Sequence, residues 1–156
     1  MTYYERNLPH WQPANKIVFV TWRLFGSLPR RALARIKSGP GDAGHKFLAA
    51  DRLLDSARSG PLWLATPAIA HCVETALLRG VELGQYVAHA WVVMPNHVHV
   101  LIDPRVPLPR ITMGIKRASA KDANSHLGRT GKPFWQDESF DRRVRDSSEF
   151  ERTRLH

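Results

Sequence analysis

Two histidines separated by one valine lie inside an apolar segment, and their spacing indicates metal chemistry. His97 and His99 belong to the stretch Met94-Pro95-Asn96-His97-Val98-His99-Val100-Leu101-Ile102. Side chains alternate between the faces of a strand, so we expect both imidazoles on one face, roughly 7 Å apart along the strand. Such a pair can hold one divalent ion. The alternative is an ordinary hydrogen-bonded pair, because two histidines in a short motif also arise by chance.

The composition indicates one basic domain. The chain has 156 residues, with 23 Lys and Arg against 14 Asp and Glu, and a net charge of +9. This excess favours a polyanionic partner, either nucleic acid or an acidic membrane surface, with a merely basic protein as the alternative. The single cysteine, Cys72, excludes an intrachain disulfide and a cysteine-based zinc cluster.

The apolar runs of the sequence are too short to indicate a membrane protein. None approaches the ~20 residues that a membrane-spanning helix needs. The segment Met1–Pro13 contains charges and prolines and lacks the apolar region of a secretory signal. We therefore expect a cytoplasmic protein with no membrane partner.

The hydrophobic pattern predicts an α+β fold over a single domain, 1–156, with residues 1–15 as an N-terminal arm. The order of elements favours a ferredoxin-like sandwich, with a central antiparallel sheet and helices packed on it. The predicted strands cover 16–24, 85–94, 97–102 and part of 132–145. The predicted helices follow Pro29, Gly41 and Thr66, cover 108–127, and begin again near Ser147. In the helix 108–127 the predicted buried residues are Ile111, Ile115, Ala118, Ala123 and Leu127.

Five motifs in this order resemble those of the HUH single-strand DNA transposases. The first is the histidine segment, WVVMPNHVHVLI. The others are Leu8–Pro13, Phe19–Leu24 with Ser27–Pro29, Lys116–Asn124, and Pro133–Asp141. Together they are similar to the REP-associated tyrosine transposases, a branch of the insertion-sequence 200/605 type, over about residues 1–152.

The resemblance implies a function in DNA transposition. In that family the two histidines, here His97 and His99, bind Mg²⁺ or Mn²⁺ and act catalytically. A tyrosine then attacks the scissile phosphate of single-stranded DNA and forms a 5′-phosphotyrosine link. Since imidazole suits Mn²⁺ better than Mg²⁺, we also expect a third ligand, an oxygen. The implied partners are single-stranded or hairpin-repeat DNA and a second copy of the chain, and the implied location is the nucleoid.

The sequence departs from the family pattern at its end. The family's tyrosine lies on the last helix, before an Asn-Pro pair, but Ser148–His156 contains no tyrosine. The remaining tyrosines, Tyr3, Tyr4 and Tyr86, have no evident catalytic position. We therefore expect no strand cleavage. The alternatives are a non-catalytic remnant that binds or represses hairpin repeats, and a decaying gene product that folds poorly.

Basic residues near aromatic ones are the candidate DNA contacts, because phosphates and unstacked bases need such a mixture. We expect Arg142, Arg143 and Arg145 to act with Trp135. Lys116, Arg117 and Lys121 are expected to line the same groove. Asn96 either orients a histidine or a phosphate, or simply forms a turn.

Overall fold

The computed structural model describes residues 2–5, 17–56 and 60–144. Its strands are β1 (Thr2–Glu5), β2 (Val18–Leu24), β3 (Tyr86–Val93), β4 (His97–Pro104) and β5 (Trp135–Arg143). Its helices are α1 (Arg30–Ser38), α2 (Ala43–Ser56), α3 (Pro67–Glu82) and α4 (Leu108–Leu127), and Trp63–Ala65 forms a 3₁₀ turn. No helix in these ranges has the length and apolar character that crossing a membrane requires. The predicted last helix and Arg145 lie outside the described residues.

The strands form one antiparallel sheet in the order β1-β3-β4-β2-β5. Strands β2 and β3 run in the same direction with β4 between them, and β4 and β5 run in the same direction with β2 between them. These are two split βαβ units, because α1 to α3 connect the first pair and α4 connects the second. The predicted α+β sandwich is therefore confirmed, and its sheet carries one strand more than expected.

That additional strand is β1, which lies within the segment predicted to be a free arm. Its residues Thr2–Glu5 pair with Val93–Ala90 along the edge of β3. A short extended segment pairs when an open strand edge is within reach, since the edge presents unpaired N–H and C=O groups. The sequence pattern predicted an extended arm, but it did not show which strand edge is open.

The two faces of the sheet have different coverings. Val20 and Trp22 of β2, with Val98 and Val100 of β4, lie in a large core together with buried residues of α3 and α4. The opposite face carries Phe19 and the two histidines and is covered by α2. Only a small apolar cluster forms there, with Phe47 of α2 packed against it.

The buried side of α4 differs from the prediction by one residue. Ala118 is exposed, whereas Ser119 is completely buried. Buried positions recur every four residues along this face, through Ile111, Ile115, Ser119 and Ala123. Ser119 is satisfied there, because its Oγ donates to the Ile115 carbonyl at 2.6 Å and accepts the Trp135 Nε1–H at 2.9 Å. The prediction for Ala118 was wrong because the apolar alanine was assigned to the buried face. The polar serine beside it occupies that face instead.

Tyr86 is a structural residue at the start of β3. It is buried, and its hydroxyl donates to the Leu77 carbonyl of α3. Burial raises the pKa of the Tyr86 phenol, so the hydroxyl stays protonated. Tyr86 pairs with Pro104, at the opposite end of β4 from His97, a separation of about 24 Å along the strand.

We predict that Gly80→Ala destabilises the fold. A Cβ at Gly80 would overlap the ring of Tyr86, and overpacking of this kind costs about 1–3 kcal/mol. Gly114 of α4 is the matched control, because a Cβ there meets no atom within 4 Å. Gly114→Ala should raise the free energy of unfolding by about 0.5–1 kcal/mol through helix propensity. Urea denaturation measures both, and an equal stabilisation by both variants would contradict the prediction.

Candidate metal centre

Strand β4 places His97 and His99 on one face, as the spacing predicted. Their Nε2 atoms are 3.1 Å apart, and the rings are nearly perpendicular. The His97 side chain is completely buried and His99 nearly so. A tight turn at Pro95–Asn96 starts the strand, and the Met94 N–H donates to the His97 carbonyl at 2.8 Å.

A third ligand atom comes from helix α2. Asp51 Oδ1 lies 3.5 Å from His97 Nε2 and 3.3 Å from His99 Nε2, and this carboxylate is only 5% exposed. Oδ1 has no hydrogen-bond partner among the described residues. Burial alone would raise the pKa of Asp51, but its interactions with the two imidazoles outweigh burial and hold the pKa below its usual range. The carboxylate is therefore ionised and directed at both nitrogens.

The separations of these three atoms fit a shared divalent ion. Two ligand atoms that are each about 2.1 Å from a metal lie about 3.0 Å apart at a right angle and about 3.4 Å apart at the tetrahedral angle. Two of the observed separations, 3.1 and 3.3 Å, lie within that range, and the third, 3.5 Å, lies 0.1 Å above it. Two imidazole nitrogens and one carboxylate oxygen suit Mn²⁺, Fe²⁺, Co²⁺ or Zn²⁺ better than Mg²⁺, which prefers oxygen ligands.

Hydrogen bonds fix the proton of His97 on the ring nitrogen away from the ligand cluster. Asn96 Nδ2 donates to the Leu54 carbonyl at 2.9 Å, so its Oδ1 must face His97 Nδ1, 2.7 Å away. An amide oxygen only accepts, so Nδ1 carries the proton and Nε2 of the neutral ring keeps a free lone pair. This is the arrangement that a metal-ligating histidine needs.

His99 is oriented by two residues of β2. Its Nδ1 lies 2.7 Å from the Thr21 hydroxyl, and its ring stacks on Phe19 with centroids 5.3 Å apart. With Nδ1–H donating to Thr21, a neutral His99 ring presents the Nε2 lone pair to the ligand cluster, as the His97 ring does. Phe19 is itself held by an edge contact with Phe47 of α2.

Asp55 lies one helical turn beyond Asp51 and borders the solvent side of the cluster. Its Oδ1 is 3.6 Å from His97 Nε2, and its side chain is 49% exposed. Three buried ligands leave further coordination positions on a metal for water or a phosphate oxygen. Asp55 is the half-exposed carboxylate next to those positions.

The sequence predicted that the third ligand is an oxygen atom, but it did not identify Asp51 as the residue that supplies it. One signal was present, because Asp51 falls on the helical stripe that contains Phe47 and Leu54. A carboxylate on the apolar side of a helix must find a partner, since an unpaired buried charge is costly. The sequence does not show that the partner is a pair of histidines 46 and 48 positions further along.

Several predicted DNA contacts have structural roles on the far side of the sheet. Trp135 is 7% exposed and packs edge-on against Trp22. Lys116 Nζ donates to the carbonyls of Gln136, Asp137 and Glu138, at 3.0 to 3.3 Å, and thereby joins α4 to β5. Desolvation lowers the pKa of the Lys116 ammonium.

Asn96 is buried beside the histidines and orients His97, which is the first of its two expected roles.

The remaining predicted contacts do not share a groove. Arg142 lies on the histidine face, with its guanidinium 5.7 Å from the centre of the Phe19 ring. Arg143 pairs with Val18 and therefore belongs to the opposite face. Arg117 and Lys121 are exposed on α4, which also packs on that opposite face. The expectation of one common groove is wrong, because β5 alternates its arginines between two faces.

Comparisons with known proteins support the fold. No protein-family model and no curated protein matches the chain. A REP-associated tyrosine transposase solved in complex with a REP hairpin aligns with a TM-score of 0.50 and 14% identity, over 94% of this chain and 68% of that chain. A protein from Deinococcus radiodurans R1, described as a transposase, aligns with a TM-score of 0.45 and 16% identity, over 97% of this chain and 92% of that chain. The first of these alignments shows that the chain has a transposase-like fold.

We predict that Asp51→Asn abolishes most of the affinity for Mn²⁺. Removing a charged ligand should weaken binding by at least about 100-fold, more than the loss of a residue that only supports a ligand. For the unchanged protein, Mn²⁺ at 100 times its dissociation constant should stabilise the fold by about 2.7 kcal/mol. Calorimetric titration and thermal unfolding measure these two effects.

Asp42→Asn is the matched control for Asp51→Asn. Asp42 precedes α2, is exposed, and pairs with His45 rather than with the histidine pair. This variant makes the same change of charge and should bind Mn²⁺ as the unchanged protein does. Equal affinities for all three proteins would exclude Asp51 as a ligand.

We also predict that Thr21→Val weakens Mn²⁺ binding by about tenfold, because His99 loses the hydroxyl that fixes its ring. Valine has nearly the same shape as threonine, so the fold should persist. Thr75→Val on the exposed side of α3 provides the comparison. A Thr21→Val protein with unaltered affinity would show that the hydroxyl does not position His99.

Proposed function

We propose that this chain is a transposase-like DNA-binding protein that uses a divalent metal ion held by Asp51, His97 and His99. The observation that carries the proposal is the convergence of three buried ligand atoms within 3.5 Å of one another. Its substrate would be single-stranded or hairpin DNA. When bound, the ion would withdraw charge from a phosphoryl oxygen and so favour attack on the phosphorus.

Electrostatics support a nucleic acid as the partner. The net charge of +9 attracts a polyanion over distances of about a Debye length. Among the described arginines and lysines that were predicted as contacts, Arg142 lies on the histidine face and borders the ring of Phe19. We propose Arg142 as a phosphate contact there. Arg117, Lys121 and Arg143 would contribute to the general attraction, and Arg145 remains a sequence-based expectation.

The role in cleavage depends on a nucleophile. Tyr86, the tyrosine within 17–144, lies at the far end of β3 with its hydroxyl donated to α3. Tyr3 and Tyr4 belong to β1, which is separated from β4 by β3. We propose that this chain binds its DNA without forming a phosphotyrosine link. Such a protein would act as a repressor that occupies hairpin repeats.

The proposal predicts Mn²⁺-dependent binding of a labelled DNA hairpin with a single-stranded tail. Replacing both ligands, as in His97→Ala with His99→Ala, should remove the metal-dependent part of the affinity, at least about tenfold. The double variant His71→Ala with His126→Ala changes two exposed histidines on α3 and α4 and should leave that part intact. Fluorescence anisotropy with and without Mn²⁺ measures the difference.

The same samples, run on a denaturing gel, test for cleavage. We expect no covalent protein–DNA adduct, and an adduct would overturn the proposal of binding without cleavage. If the hairpin affinity changes neither with Mn²⁺ nor in the His97→Ala, His99→Ala double variant, the result would instead favour a metal-independent binding module.

A further inference from the structure

A cavity of about 220 Å³ lies between α2 and the strands β2 and β5, beside the metal centre. Thr21 and Asp51 line it and also belong to the metal centre. A space of this size would hold about seven water molecules. Its volume is therefore sufficient for one nucleobase. The cavity and the candidate metal centre therefore share a wall.

The walls of the cavity are apolar and its rim is charged. Helices α1 and α2 contribute Leu33, Ile36 and Ala50, and Phe140 closes the side formed by β5. Lys37 lies at the rim with its side chain 61% exposed. Apolar walls accept the faces of a base, and a cation at the rim attracts the phosphate attached to it.

The polar groups that line the cavity favour one base edge over others. The guanidinium of Arg23 is nearly buried and donates to Glu138 Oε1 at 2.8 Å. Arg23 Nη1 also donates to Ser27 Oγ at 3.3 Å, and Lys37 Nζ lies 3.8 Å from Glu138 Oε2. A base would therefore bind to the remaining N–H groups of Arg23 and the remaining lone pairs of Glu138. Guanine complements both, because its O6 and N7 accept from arginine and its N1–H and N2–H groups donate to a carboxylate.

We propose that this cavity binds one unstacked nucleobase, preferably guanine, from the nucleotide next to the phosphate held at the metal centre. This inference rests on the proposed function, and it adds a specificity site to it. The shared wall supports it, because the base and phosphate of one nucleotide are joined through a single sugar. The Arg23–Glu138 pair would read the base edge, and α2 would serve both the base and the metal.

An abasic-site scan of the single-stranded tail tests the pocket. Each tail position is replaced in turn by an abasic nucleotide, and affinity is measured by anisotropy with Mn²⁺ present. We expect one position at which the replacement lowers affinity about tenfold. At that position guanine should bind more tightly than the other three bases.

Two variants connect the effect to the cavity. Ala50→Leu fills the cavity and should remove the loss seen at the abasic position, whereas Ala49→Leu changes a neighbouring residue that does not line the cavity. Glu138→Gln alters a half-exposed side chain, so it should preserve the fold and reduce the preference for guanine. Mn²⁺ affinity, measured without DNA, should stay the same in all three variants.

The outcomes separate the pocket from the proposed function. Mn²⁺-dependent binding without any sensitive tail position would overturn the pocket alone. A sensitive position that accepts all four bases equally would overturn the role of Arg23 and Glu138. Loss of Mn²⁺-dependent DNA binding in the unchanged protein would overturn the proposed function, and the pocket with it.

Discussion

The candidate metal centre is organised around a buried carboxylate that faces two buried imidazoles. Asp51, His97 and His99 are each less than a tenth exposed. Removing a charge and two polar rings from water is costly unless other groups satisfy them. The Oδ1 atom of Asp51 has no hydrogen-bond partner among the described residues, and it lies 3.5 Å from His97 Nε2 and 3.3 Å from His99 Nε2. A divalent ion at this point would satisfy all three groups together.

This interaction also determines how α2 lies on the sheet. Among the described residues of α1 none is buried, and in α2 only Asp51 and Leu54 are. Apolar burial therefore contributes little to the docking of these two helices. The Leu54 carbonyl accepts from Asn96, and Asn96 in turn fixes the tautomer of His97. Asn96 thus links the position of α2 to the tautomer in which His97 can bind a metal.

The two faces of the sheet have different roles, because one carries most of the hydrophobic core and the other carries the candidate metal centre. The face under α3 and α4 contains the large core, with Trp22 and Trp135 in edge-to-face contact and Ser119 satisfied by Trp135. The other face has a small apolar cluster, the ligand triad and the adjoining cavity. A polar site needs space and accessible charges, which a close-packed core excludes. The large core supports the sheet, and the sheet holds the histidines in register.

Local pattern was sufficient for most elements and for two of the three candidate ligands. The β-branched and aromatic runs predicted β2 to β4, and helical spacing predicted α3 and α4, because such patterns reflect burial of one face. Strand alternation alone placed His97 and His99 together. It did not place Asp51, since the contact between α2 and β4 depends on how the chain crosses the sheet. Nor did it show that Arg142 and Arg143 belong to opposite faces, because the register of β5 is set by its pairing with β2.

Most element types, the net charge and the histidine pair could be predicted from composition and from neighbouring residues. Packing between distant segments sets which carboxylate completes the pair, which nitrogen of His97 carries the proton and where a cavity adjoins the site. Each of these depends on distances between segments far apart in the chain. Only the packed fold sets such distances, so the chemistry that His97 and His99 can perform is decided by α2.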